Sequence, residues 1–188
     1  PNTYTLGKTA NKENLLGDYQ FLKEKGVKVF NIDRGGDITY HGPGQIVGYA
    51  IFDLKGWKQD AHQYLRSLEE VIIKTSNDFG LFVHRNDDHT GVWVDDRKIC
   101  AMGIKISRWI TMHGFAFNIN TNLELFNGIV PCGIVDKQVT SLKKEFNKEF
   151  DIEVVKKKIL NNVKEIFNYN NVVIEKNADR YFVNEMIY

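Results

Sequence analysis

The chain has 188 residues and predicts one α+β domain with a mixed or antiparallel sheet and flanking helices. Two observations lead there. Strand-like segments come in runs, and the helical stretches are segregated between or after them rather than alternating one for one. No internal repeat, low-complexity tract or Pro/Ser-rich linker divides residues 1–188, so a single catalytic-sized unit is expected.

The elements follow in order. Residues 1–16 read as the end of a strand entering a loop. Residues 27–33, VKVFNID, are β-branched and aromatic, which predicts a strand. Residues 46–54, IVGYAIFDL, form a nearly continuous apolar run and predict a central strand covered on both faces. A helix is predicted over residues 59–77, with Tyr64, Leu65, Leu68, Val71 and Ile72 on one stripe. Short strands are predicted at 81–84 and 91–94. A tight turn at 95–97 leads into a long strand over 98–109, and the next strand, 113–120, points to a meander. A second helix is predicted over 151–168, its stripe formed by Ile152, Val155, Ile159, Val163, Ile166 and Phe167.

Composition excludes several classes of function. The formal net charge is +1, so bulk charge gives no reason to propose nucleic acid or an anionic membrane as partner. No apolar run is long enough to span a bilayer, and residues 1–16 lack the basic and apolar regions of a signal peptide. The two cysteines, Cys100 and Cys132, have no metal-ligand spacing and no disulfide framework. Both are expected to be reduced thiols in a reducing, cytoplasmic compartment.

Residues 34–48, RGGDITYHGPGQIVG, hold five glycines. Such density means tight turns or close approach of backbone to a ligand. The bland alternative is a hairpin with two awkward turns. The segment is neither a P-loop nor a dinucleotide fingerprint. Arg34, Tyr40 and His41 set among glycines fit a pocket wall, where backbone amides and a few polar groups orient a ligand.

Cys132 lies between Pro131 and Gly133, at an expected sharp bend where a thiol can face a pocket beside free backbone N–H groups. Cys100, alternating with Ile99 in a strand, fits a small buried hydrophobe. A free thiol is only about 3% thiolate at pH 7, so a nucleophilic cysteine needs a nearby cation or base. Lys98 and Lys105 are the candidate cations. Seven residues apart on a regular strand, they point to opposite faces, so one of them is expected to face Cys132, and Lys98 is preferred. His41 and His113 remain possible bases. Met102, Phe115 and Phe117 either line an apolar slot or belong to the core.

Four segments, RGGDITYHGPGQ, TGVWVDDRKICAMGIKISRW, HGFAFNI and IVPCGI, together resemble the lipoyl(octanoyl) transferase family of lipoate biosynthesis, in the family's order across residues 1–142. The resemblance implies the biotin/lipoate protein ligase fold. Family members usually carry a helix and a strand before the position of Pro1. It also implies octanoyl transfer from octanoyl-acyl carrier protein to a lysine of a 2-oxoacid dehydrogenase E2 lipoyl domain or of the glycine-cleavage H protein. By the same resemblance, Cys132 is the acyl-thioester nucleophile and Lys98 tunes it. Substrate contacts are implied for Arg34, Gly35, Gly36, Asp37, Ile38, Thr39, Tyr40 and His41. They are also implied for Ala101, Met102 and Gly103, and for Gly114, Phe115 and Ala116. No cofactor, ATP or metal is implied. The alternatives are an octanoyl amidotransferase drawing on a lipoylated carrier, an ATP-dependent ligase on the same fold, and a carrier-binding module without catalysis.

Overall fold

The computed structural model describes residues 1–130, 138–169 and 173. Its strands form two sheets. In the small one, β1 (Asn2–Leu6) lies between β2 (Val27–Asn31), to which it is parallel, and β3 (Ile38–His41), to which it is antiparallel. The short helix α1 (Tyr19–Glu24) makes the crossover from β1 to β2. Tyr4 and Tyr40, both fully buried, meet edge to face with Phe126 in a core that also holds Ile38 and Ile129.

The large sheet takes the order β4 (Gln45–Tyr49), β8 (Ile110–Asn118), β7 (Arg97–Ser107), β6 (Val92–Val94), β5 (His84–Arg85). A two-residue strand, β9 (Gln138–Val139), runs parallel to the start of β7. Helix α2 (Ala61–Asn77) and helix α4 (Ile152–Phe167) cover one face of this sheet. Tyr64, Leu68 and Ile72 of α2 pack with Val155, Ile159 and Phe167 of α4 against Phe115 and Phe117. Apart from Leu65, which borders a cavity, the predicted stripes form the core because helical spacing puts them on one side. Asp60 and Asp151 cap the two helices by accepting from the backbone N–H groups of Gln63 and Glu153. Between them the short helix α3 (Leu142–Phe146) follows β9.

Two expectations need correcting. The apolar run at 46–54 is not a central strand: β4 is an edge, with Val47, Tyr49 and Ile51 exposed. Its regular pairing stops at Tyr49 opposite Gly114, where His113 takes a positive φ of 61°. Beyond that point the buried Thr111 hydroxyl enters the ladder, accepting from Phe52 N–H and donating to the Ala50 carbonyl. The long strand ends at Ser107 rather than 109. Arg108 and Trp109, both at positive φ, turn the chain straight into β8, in the sense that matches strand twist. The bland alternative for residues 34–48, a hairpin, is removed, because β3 and β4 belong to different sheets.

The chain therefore passes from one sheet to the other at His41, and polar side chains fix the passage. His41 Nε2 meets Thr5 Oγ1 at 3.2 Å and its Nδ1 meets Gln45 Oε1 at 3.0 Å. Gln45 in turn donates to the Tyr40 carbonyl and to Asn118 Oδ1. The neutral imidazole with its proton on Nδ1 satisfies both contacts. Burial lowers the His41 pKa below its ordinary value, the Gln45 bond opposes that, and the Arg34 charge adds to the lowering. In the unfolded chain His41 takes up its proton near about pH 6.5, so the folded state binds fewer protons just below that pH. Stability is thus expected to fall as pH drops below about 6.5, and His41→Gln is expected to flatten that slope. Urea midpoints of both proteins across this range check it; parallel slopes refute it.

Candidate active site

A cavity of about 340 Å³ opens on the face of β7 that carries Ala101 and Gly103, and Leu65 of α2 also borders it. Ligand pockets run from about 300 to 1,000 Å³, so this one suits a small or slender group. Its floor is made of the smallest side chains available. Ala101 pairs with Ala116 and Gly103 with Gly114 across β7 and β8. One wall comes from the glycine-rich segment, through Arg34, Gly35, Gly36, Asp37, Thr39 and His41. Backbones approach closely here: Gly35 N–H donates to the Ile104 carbonyl at 3.0 Å, and a Cβ on Gly103 would come within 2.7 Å of the Gly35 carbonyl oxygen. Arg34 is buried and braces the wall, its Nη2 donating to the Thr5 carbonyl at 2.7 Å and to Thr5 Oγ1 at 3.0 Å.

Lys98 also lines the cavity although regular alternation would turn it away. Val92 pairs with Cys100 but Trp93 pairs with Lys98, which leaves Ile99 unmatched. This β-bulge reverses the alternation and puts Lys98 on the face of Ala101 and Gly103. The expectation that Lys98 and Lys105 face opposite sides is thereby corrected: the extra residue between them puts both on one side. Lys105 is committed elsewhere, since it pairs with Asp33, and His113 Nε2 meets the other Asp33 oxygen at 2.8 Å. The two contacts, Lys105 first, hold the Asp33 carboxyl down at about 2. His113, opposite Ile104, stands about 15 Å or more along the strands from Lys98.

Lys98 is 6% exposed, and its Nζ lies 4.7 Å from the centre of the fully buried Trp93 ring. Trp93 Nε1 donates to the His89 carbonyl at 3.3 Å, and His89 borders the cavity. Behind them is Gly91, at φ 124°, where a Cβ would meet the Cys100 carbonyl oxygen at 2.6 Å. The Gly91 N–H donates to Glu69, a fully buried carboxylate on α2 that also holds Arg66 and Arg85.

Of the residues singled out in the sequence, Lys98, Arg34, Gly35, Gly36, Asp37, Thr39, His41, Ala101, Met102, Gly103, Gly114, Phe115 and Ala116 border this one cavity. Ile38 and Tyr40 do not; they point into the small core on the other side of β3. Met102 and Phe115 pack with the main core, as the register requires, so they border the cavity without forming its floor. Phe117 is fully buried in that core. Cys100 is a free, buried thiol whose pKa burial pushes up, which leaves it a poor nucleophile. Cys132 lies outside the described residues. The chain on either side of it is described: Val130 N–H donates to the Asn14 carbonyl, and Gln138–Val139 pairs with Arg97 and Lys98. Sequence reasoning missed Trp93, Gln45 and Asn118. The two-residue turn after Val94 carried the signal for the first, because it sets Trp93 opposite Lys98. Among the described residues no helix is long and apolar enough to cross a membrane.

Residues 1–164 match the lipoyl protein ligase A/B catalytic domain. A protein of Christiangramia forsetii named octanoyltransferase is 52% identical over 173 residues, spanning 89% of this chain and 74% of its own. Two solved structures share the fold at 15% identity. Lipoate-protein ligase A bound with ATP superposes with a TM-score of 0.70, covering 95% of this chain and 75% of its own. Biotin protein ligase from Aquifex aeolicus with biotin and ATP gives 0.54, covering 66% and 50%. The α+β ligase-like fold, the motif order and the half-identical relative agree: the chain belongs to the lipoyl protein ligase A/B catalytic-domain family, as an acyltransferase of its octanoyltransferase branch.

Proposed function

We propose that the enzyme transfers octanoyl from octanoyl-acyl carrier protein to a lipoyl-domain lysine by way of a thioester on Cys132. The observation that carries this reading is Lys98, a buried cation on the wall of an apolar-floored cavity, with the chain returning at Gln138–Val139 directly beside it. A cation about 4 Å from a thiol contributes up to about 4 kcal/mol at an effective dielectric of 20, enough to favour the thiolate strongly.

In the first step the Cys132 thiolate attacks the thioester carbonyl carbon. A new carbon–sulfur bond forms, the bond to the carrier sulfur breaks, and that sulfur leaves as a thiol after taking a proton. In the second step the acceptor lysine amine attacks the same carbon, an amide forms, and the Cys132 thiolate is released as the amine gives up its proton. Lys98 offsets the charge on the thiolate and passes protons to and from the departing and arriving groups. The acyl chain lies along Ala101, Gly103, Gly114 and Ala116, with Arg34 to His41 as its other wall. The acceptors are E2 lipoyl domains and the glycine-cleavage H protein, and the reaction belongs to the cytoplasm, where both cysteines stay reduced. It requires no cofactor, nucleic acid or membrane. An octanoyl amidotransferase would differ only in taking a lipoylated carrier as donor. The octanoyltransferase relative favours acyl transfer over an ATP-dependent ligase.

Mixing the enzyme with octanoyl-acyl carrier protein is expected to give one octanoyl adduct, mapped by mass spectrometry to Cys132 and absent from Cys132→Ala. Lys98→Ala is expected to form it about 100-fold more slowly at neutral pH. An adduct on another residue, or a normal rate in Lys98→Ala, rejects the assignment. Chain length provides a separate test. Each buried methylene contributes about 0.8 kcal/mol, so replacing octanoyl by hexanoyl is expected to lower kcat/KM about 15-fold. Equal values for the two donors mean that the cavity does not hold the chain.

A further inference from the structure

We propose that His113 is the end stop of the acyl slot and that Asp33 holds it there, so that the site takes octanoyl and turns away longer chains. This rests on the transferase reading above, in which the chain runs along the floor from the Lys98 end. The far end of the cavity is bordered by Ile32, Tyr49, Ile104 and His113. Ile104 and His113 are paired across β7 and β8, three residues beyond the Ala101–Ala116 pair. Three residues of antiparallel strand cover about 10 Å. An extended chain advances about 1.2 Å per bond, so octanoyl spans about 8 Å from carbonyl carbon to terminal methyl. With its carbonyl level with Ala101, octanoyl ends just short of the His113 ring. Decanoyl, longer by about 2.4 Å, runs into it.

The backbone and one carboxylate place this ring. His113 has a φ of 61°, which side chains rarely adopt. Phe115 and Phe117, at alternate positions of β8, pack in the main core, whereas the His113 ring crosses to Asp33, just after β2. Nε2 meets Asp33 Oδ1 at 2.8 Å, and the other Asp33 oxygen is paired with Lys105 of β7. The Tyr49 ring lies 6.4 Å from the imidazole. The ring is thereby tied to the small sheet and, through Asp33, to the strand beside its own. Stability does not account for the arrangement, because Asp33 is half exposed and ion pairs of that kind add little to a fold. Backbone strain of this sort persists where a site uses it. A methylene that parted His113 from Asp33 would leave both without a partner, a cost that the alanine and glycine floor does not impose.

The test compares kcat/KM of the full chain with hexanoyl-, octanoyl- and decanoyl-acyl carrier protein. The wild type is expected to prefer octanoyl to both. His113→Gly removes the ring and accepts the positive φ. Its decanoyl-to-octanoyl ratio is expected to rise about 15-fold or more, the effect of two further buried methylenes, while its hexanoyl-to-octanoyl ratio holds. Asp33→Ala leaves the ring unheld and is expected to move the first ratio the same way by less. Each ratio is taken within one protein, so a smaller folded fraction cancels, and Asp33→Ala alone decides if His113→Gly does not fold. A wild type that uses decanoyl as well as octanoyl, or a ratio unmoved in the variants, overturns the proposal. A rise in His113→Gly alone overturns the role of Asp33. Octanoylation of Cys132 in the wild type separates the two readings. If it occurs and the ratios stay fixed, only the end stop fails; if it does not occur, the transferase reading fails as well.

Discussion

Between Val92 and Trp93 the pairing of β6 with β7 slips by one residue, and the placement of the site's cation depends on that slip. Without it Lys98 would share a face with Met102 and Ile104, which pack with the helices in the main core. A lysine pointing there would be an unpaired charge in an apolar interior, at a cost of several kcal/mol. With Ile99 unmatched, Ile99 and Cys100 fill the core while Lys98 and Ala101 turn to the cavity. The bulge thus resolves a conflict between stability and chemistry within four residues.

The same face explains why the floor of the cavity is so bare. A sheet face covered by ordinary β-branched residues would leave no open volume once the small sheet packed above it. Alanine and glycine in directly opposed pairs remove side-chain bulk at two successive levels. They also let the Gly35 backbone come within hydrogen-bond distance of Ile104, so the wall is anchored to the floor by main chain rather than by long side chains. Glycine in a strand weakens it, and the neighbouring contacts offset that. The β7–β8 pairing continues without interruption from Cys100 to Ser107.

Much of this was legible in the sequence. Both long helices and the hairpin strands announced themselves by period and by turn residues, and the motif order identified the family. The density of glycine between Arg34 and Gly48 falls in a segment of which several residues line the cavity. What stayed hidden had local causes. Continuous apolarity at 46–54 reads as a buried strand, yet Tyr49 and Ile51 are exposed on an edge, because apolar content says nothing about which side lacks a neighbour. Arg108 and Trp109 are unusual residues for positive φ, so a turn there had no glycine to betray it. The resemblance implies contacts for the whole stretch from Arg34 to His41, Ile38 and Tyr40 included, whereas strand alternation sends those two to the opposite core.

The bulge was the most consequential omission, because it depends on two strands at once. Period-two reasoning on β7 alone gives Lys98 and Lys105 opposite faces, and no residue within 98–105 contradicts it. Only the count across the turn does so: Val94 opposite Arg97 and Trp93 opposite Lys98 fit a two-residue turn, and Val92 opposite Cys100 does not. That one-residue excess brings an ammonium group, an indole face and a glycine-floored cavity onto the same side of one sheet. A shift of register is therefore as much a part of this site as any side chain in it. Restoring regular pairing by inserting one residue between Val92 and Trp93, which gives Ile99 a partner, would turn Lys98 away from the cavity even if every side chain lining it were kept.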